Sequence, residues 1–227
     1  MSLLKLLGVL LDYPRDELWE HRQELLAAIP AVGLAEAQQA ELAGFIQTLL
    51  DTDPMSAQDR WLATFDRGRA MSLLLFEHIH GESRDRGQAM VDLVETYRRH
   101  GFELAAKELP DYLPLVLEYL SHRSFAEARD WLKHISHIVG LLEDRATDRQ
   151  SPYAALFRLL IAQTDSHAHL QAVRRPMRHE IRDDTPEAMD RLWEEEVVRF
   201  SAKAPDDSCS PGATPSRHGE AFHRVQP

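Results

Sequence analysis

The sequence predicts an all-α protein, a single-domain bundle of roughly eight to ten helices, and three observations lead there. Only 10 glycines occur among 227 residues, while Leu, Ala, Glu and Arg are abundant, residues that lose little side-chain freedom in a helix. Apolar residues recur at intervals of three and four along the chain, and no segment shows the β-branched alternation of a strand. Cap signals such as Asp53-Pro54, Ser151-Pro152 and Thr185-Pro186 stand where these apolar patterns begin.

Taken in order, Leu3, Leu6, Leu7, Leu10 and Leu11 form one face of a first helix. A second is expected from about Arg15 to Ile29, framed by Pro14 and Pro30 and burying Leu18, Leu25, Leu26 and Ile29. A third, Leu34 to Leu50, carries Leu42, Phe45, Ile46 and Leu49 on one stripe. Asp53 caps a fourth, with Pro54 at the first position, where its missing N–H costs nothing, and Trp61, Leu62 and Phe65 as its buried end. Met71 to Phe76, apolar except for Ser72, reads as one or two buried helical turns. Ser83 to His100 is the next helix, with Met90, Leu93, Val94 and Tyr97 inward and Gly101 at its C-terminal end. Leu109 to Pro114 reads as an extended entry into a helix, Asp111 a possible cap and Pro114 in the first turn, followed by Leu115, Val116, Leu117, Tyr119 and Leu120.

Phe125, Ala128, Leu132, Ile135, Val139 and Leu142 make a core seam. Ser151-Pro152 starts a helix burying Leu156, Phe157 and Leu160, and a polar connection from Gln163 to Arg182 leads to a last helix, opened by Thr185-Pro186 and burying Met189, Leu192, Trp193 and Phe200. From Ser201 on the chain has no Leu or Ile and too little apolar surface to offset the entropy of ordering. The helical domain is therefore expected over residues 1–200 and a disordered tail over 201–227.

The single cysteine, Cys209, has no intrachain partner, which points to a reducing compartment. The apolar start MSLLKLLGVLLDYP carries Lys5 and closes on Asp12 and Pro14 instead of a small-residue cleavage site, so no secretory signal is expected. No stretch approaches the roughly 20 apolar residues that cross a bilayer, and a soluble, cytoplasmic protein without direct membrane insertion is the expectation. A formal net charge of −11 disfavours nucleic acid as a partner and favours a basic one. Between Asp183 and Glu196 seven acidic residues stand against Arg191 alone, after a basic run with Arg174, Arg175, Arg178 and Arg182 that offers internal pairing.

Chemistry is harder to find. Asp130, His134 and His137 share a helix face, but one turned away from the apolar seam towards solvent, and His78 and His80 are two apart, which no helix brings to one side. No Gly-rich phosphate loop, nucleophile elbow, C-x-x-C pair or H-E-x-x-H occurs, and Cys209 lacks a positioned base. Neither an enzyme nor a resident cofactor nor a metal is expected; the composition is that of a binding module.

The least anonymous stretch is FDRGRAMSLLLFEHIHGESRDRGQAM, Phe65 to Met90. Gly81 can end a helix and Ser83 cap the next. Two readings fit it: a helix-loop-helix corner whose charges pair in water, or a loop in which Arg67, Arg69, Arg84 and Arg86 converge with Asp66, Glu82 and Asp85 beside a partner-binding surface. This stretch, with Asp12-Tyr13-Pro14, Asp53-Pro54, Glu108 to Pro114, Leu117 to Leu120, Arg182 to Pro186 and Leu192 to Glu196, resembles the NarJ-type nitrate reductase assembly chaperones, relatives of the TorD-like redox-enzyme maturation chaperones. The resemblance covers about Leu3 to Phe200.

It implies a TorD-like helical fold and a dedicated chaperone, not a subunit of the mature enzyme, that binds the apo catalytic subunit of a respiratory nitrate reductase through a basic amphipathic N-terminal segment. The chaperone would enable molybdenum cofactor insertion and delay membrane docking, acting as a monomer or weak dimer. On this reading Phe76, His78, His80, Glu82, Arg84, Asp85, Arg86, Gly87, Asp111, Tyr112, Leu115 and Tyr119 are candidates for client binding, with Phe76, Tyr112, Leu115 and Tyr119 lining a groove. Asp66, Arg67, Gly68, Arg69, Gly81 and Ser83 are candidates for shaping the loop. A chaperone for another molybdoenzyme and a helical scaffold or regulatory protein are the alternatives.

Overall fold

Helix α1, Leu3–Leu11, starts at Ser2, whose hydroxyl accepts the Lys5 N–H at 3.3 Å. This is a computed structural model, which describes residues 2–80, 85–104, 108–164, 182–185, 187, 188 and 190. All but Asp190 belong to one compact unit, Met1–Met189. Leu6, Leu7, Leu10 and Leu11 are almost completely buried, chiefly against α8, Leu113–Ser121. Gly8 marks the crossing: a Cβ there would lie 3.0 Å from the Pro114 carbonyl oxygen and 3.4 Å from Leu117 Cβ.

The expected second helix is instead two. α2, Glu17–Glu20, and α3, Arg22–Ala28, are separated by a break at His21 (φ −97°, ψ 19°), and Pro30 lies inside a 3₁₀ turn, Ile29–Val32. Side chains on both sides of the break are tied to the end of α4, Glu36–Asp51: Trp19 Nε1 donates to the Thr52 carbonyl at 3.1 Å, and Arg22 to the Leu50 carbonyl at 3.2 Å. Leu26, expected inside, is half-buried.

Asp53 caps α5, Pro54–Phe65, as predicted, its carboxylate accepting the Ser56 N–H at 2.9 Å. Of the three residues expected at its buried end, Phe65 is buried and Trp61 half-buried with its Nε1 donating to the last carbonyl of α1, Leu11, at 2.8 Å. Leu62 is exposed. Met71 to Leu74 is not helical. It is a largely buried turn and bend that ends in an isolated bridge at Leu74, ahead of the short helix α6, Leu75–His80.

α7, Asp85–Arg99, closes with Gly101 in the left-handed region (φ 81°), where Gly101 N–H bonds Arg98 and Phe102 N–H bonds Tyr97, the double bond that ends helices on glycine. α9, Phe125–Asp148, is opened by a reciprocal box in which Ser124 and Glu127 each cap the other's backbone. The Ser124 hydroxyl and then Arg123 hold the Glu127 carboxyl down at about 2. The seam on α9 is buried from Ala128 to Leu142, but Phe125, at the first position, is 74% exposed, because the core is met only one turn later. α10, Ala154–Ala162, packs on α9, α4 and α1, and Tyr153 just before it lies between Phe45 and Phe65 at 5.3 and 4.8 Å between ring centroids.

Among the described residues all regular structure is helical, as the sequence predicts, and no helix is long and apolar enough to cross a membrane. Gly81 and Ser83, the connection after Thr164, most of the last helix and the tail lie outside these residues. Thr185 does accept the Ala188 N–H on its hydroxyl at 3.2 Å, a cap at the expected place.

Candidate functional site

The Leu73–Leu75 segment pairs antiparallel with Asp111–Leu113. Leu75 N–H donates to the Asp111 carbonyl at 3.0 Å and Leu113 N–H to the Leu73 carbonyl at 2.8 Å, around a Leu74–Tyr112 bridge. Asp111 is completely buried and does not cap α8, which Tyr112 precedes without a side-chain bond. Its Oδ2 accepts the Phe76 N–H at 2.9 Å, at the start of α6, while Oδ1 has no hydrogen-bond partner. Burial pushes the Asp111 carboxyl up, against the opposing pull of the Phe76 N–H and of Arg86.

Other side chains lock the same junction. Tyr97 donates its hydroxyl to the Pro110 carbonyl at 2.8 Å, and burial raises its phenol above the ordinary tyrosine value. Tyr112 donates to Asp12 Oδ1 at 2.8 Å, tying the start of α8 to the end of α1. His78 Nε2 lies 2.8 Å from the Ser72 carbonyl, an acceptor only, so this nitrogen carries the proton. Arg86 on α7 pairs with Glu77 on α6 at 3.6 Å.

The turn between α5 and α6 is held by a carboxylate from far along the chain. Asp66, Arg67 and Arg69 are exposed, and the carboxylate that shapes the turn is Asp183. Its Oδ2 accepts the Ala70 N–H at 2.7 Å, its Oδ1 takes Arg149 at 2.8 Å, and Arg145 donates to the Ala70 carbonyl at 2.6 Å. Gly68 leaves room for this carboxylate: a Cβ there would lie 2.6 Å from Asp183 Oδ2, so the Asp183 side chain would have to shift. Arg182 forks onto Asp184 at 3.0 and 2.7 Å, and this bond lowers the Asp184 carboxyl. In the sequence Asp183 and Asp184 were legible as part of a family-like run and as acids near arginines, but nothing tied them to residue 70.

The candidates for client binding fall in separate places. Tyr112 and Leu115 line a groove of about 110 Å³ between α1 and α8, with Val9 between acidic Asp12, Glu108 and Glu118, the last paired to Lys5 at 3.5 Å. Phe76 and Asp111 meet through the α6 cap, and Phe76 is half-buried. Tyr119 is buried in an aromatic cluster, 4.7 Å from Tyr97 and 5.4 Å from Phe102 between centroids, with its hydroxyl 2.6 Å from His100 Nδ1. Asp85 and Gly87 are exposed at the start of α7, and a Cβ at Gly87 would meet nothing within 4 Å. The His80 side chain, Glu82 and Arg84 lie outside the described residues.

Asp130, His134 and His137 are exposed on α9, and no group of three or more His, Cys, Asp or Glu able to hold a metal occurs among the described residues. What the geometry offers is surface: an acidic groove with an apolar floor, a stapled turn and the exposed first turn of α7. This is the equipment of a helical protein-binding module. The chain belongs to the nitrate reductase delta subunit family, whose profile matches residues 32–158, and is of the NarJ type. It is 47% identical over 211 residues, 92% of this chain and 88% of the relative, to the nitrate reductase molybdenum cofactor assembly chaperone NarJ of Escherichia coli K12. It is 44% identical over 200 residues, 88% of this chain and 84% of the relative, to the probable assembly chaperone NarW of the same strain. The probable NarJ chaperone of Bacillus subtilis is 31% identical over 156 residues, 69% of this chain and 84% of its own.

Proposed function

We propose that this protein is a cytoplasmic, system-specific chaperone of nitrate reductase assembly. It binds the apo catalytic subunit through that subunit's basic, amphipathic N-terminal segment, holds it competent for molybdenum cofactor insertion, and delays membrane docking until loading is complete. The observation that carries the reading is the 47% identity over 92% of the chain to a protein named for that assembly role. The groove between α1 and α8 supports the finer part: Val9, Tyr112 and Leu115 are apolar contacts for one face of a helix, and Asp12, Glu108 and Glu118 match a basic opposite face. Release follows from differential affinity, since a chaperone that binds the open apo client better than the loaded one is displaced by maturation itself.

Apolar anchors supply most of the affinity of such a contact at about 1.5–3 kcal/mol each, while exposed ion pairs contribute about 0–1 kcal/mol. Calorimetry with the N-terminal peptide of a nitrate reductase catalytic subunit is therefore expected to show binding that weakens moderately in about 0.5 M salt and collapses when the peptide's apolar face is replaced by serine. Binding abolished by salt and indifferent to the serine replacements would reject the groove. Equal capture of apo and cofactor-loaded catalytic subunit would reject the chaperone cycle.

A further inference from the structure

A cavity of about 520 Å³ opens where α5, the end of α9 and the segment from Arg182 to Thr185 come together. Its wall carries four guanidinium groups, Arg60, Arg67, Arg149 and Arg182, against one carboxylate, Asp184. In a chain of formal net charge −11 this is a local inversion of sign.

The cavity is built, not incidental. Arg149 has a side chain only 9% exposed, with Nη2 2.8 Å from Asp183 and Nη1 3.5 Å from Asp184, an ion pair at Nη1 without a hydrogen bond. The Ser151 hydroxyl, also on the wall, is buried and equally without one. A buried hydroxyl without a partner beside a guanidinium with hydrogen-bonding capacity to spare is costly in a folded protein unless a ligand takes it up. Between them Gln150 adopts the left-handed region (φ 54°) to end α9, with Gln150 N–H on Thr147 and Ser151 N–H on Ala146. Glycine is the usual residue at such a position, and this chain keeps a long polar side chain on the cavity wall instead.

We infer that this cavity is a binding site for a phosphate-bearing small molecule, with Arg149 and Ser151 donating at its depth and the exposed Arg60 and Arg67 neutralising charge at its mouth. Four guanidiniums against Asp183 and Asp184 leave two positive charges, the complement of a phosphate dianion. Planar guanidinium forks match phosphate oxygens two at a time. Arg60 and Arg67 have no carboxylate partner among the described residues, so no internal ion pair has to be broken at the mouth. The volume falls in the usual small-molecule range of about 300–1,000 Å³, so the ligand is larger than phosphate alone. The site is separate from the α1–α8 groove and does not depend on which client is bound.

The test is titration calorimetry of the full chain with pyrophosphate. The expected result is saturable binding to one site, weakened by about tenfold or more in the R60A/R67A double variant, whose melting temperature stays that of the parent because both side chains are exposed. The single substitutions Arg60→Gln and Arg67→Gln carry the same reading if the pair loses stability. Binding that the mouth variants leave unchanged, or none below about 10 mM, overturns the proposal. So does capture of a glutamate-rich peptide but not of pyrophosphate, which would make the cavity a dock for an acidic protein segment.

Discussion

Asp111 accepts the Phe76 N–H at 2.9 Å, so a carboxylate that precedes α8 in the chain caps α6, the helix before it in space. The bond holds the α6–α8 junction together from inside, and it has a measurable pH signature. Burial raises the Asp111 carboxyl above its unfolded value, so its contribution is most favourable below the unfolded value near about 3.9 and is lost as pH rises through the raised folded value. Asp111→Asn keeps an acceptor for Phe76 and cannot ionise. The variant is expected to gain stability relative to the parent as pH increases from about 3 to 7, read from denaturation midpoints. A difference that stays flat over that range would mean the carboxyl titrates as if exposed. Asp111→Ala removes the cap and is expected to cost about 1–2 kcal/mol at low pH, where the carboxyl is neutral in both states.

Gly68 and Asp183 act as one unit, because the Cβ of an alanine at 68 would occupy the place of the carboxylate that holds Ala70 and Arg149. Gly68→Ala and Asp183→Ala are each expected to cost about 1–3 kcal/mol, and the double variant little more than the worse single one. Additive costs in a double-mutant cycle would show that the two positions are independent.

Gly8 lets α1 approach α8 closely. Alanine there gains about 1 kcal/mol of helix propensity and loses a similar amount to crowding against the Pro114 carbonyl, so Gly8→Ala is expected near zero. Valine has no such compensation: Gly8→Val is expected to cost about 1–3 kcal/mol in chemical denaturation. An unchanged midpoint for Val would mean that α1 slides freely.

Gly87 allows the client-surface proposal to be tested apart from folding. It is exposed with open space around it, so Gly87→Val is expected to change stability by less than about 0.5 kcal/mol. If the first turn of α7 is part of the client surface, nitrate reductase activity in cells carrying the variant falls while the chaperone's melting temperature holds. Full activity with unchanged stability would remove this turn from the surface.

Much of the architecture was legible in the chain. Leu3 to Leu11, the Asp53-Pro54 cap, Gly101 and the Ala128 to Leu142 seam are local signals: period, cap chemistry and a glycine where φ turns positive, each satisfied within a few residues. The family resemblance was carried by runs such as FDRGRAM and RDDTP, which read as motifs even while their contacts did not. The break at His21 has no local signal in the sequence, and the bonds that hold the flanking Trp19 and Arg22 reach the end of α4 across separations of 33 and 28 residues. Met71 to Leu74 misled for a related reason. A short apolar run has no period of its own, and its non-helical form goes with the pairing of Leu73 to Leu75 on Asp111 to Leu113.

The same division runs through the sites. Residue types alone determined that this is an acidic helical protein, since charge and periodicity add up along a chain without reference to its path. Only the tertiary structure decided which side chains meet. It buried Tyr119 in an aromatic cluster, left Tyr112 and Leu115 on a groove, and made Asp183 the organiser of the Gly68–Ala70 turn across a separation of 113 residues. It also gathered Arg60, Arg67, Arg149 and Arg182 around one cavity. Like charges so far apart in sequence carry no local signal of convergence, and what brings them together is the packing of the helices that bear them.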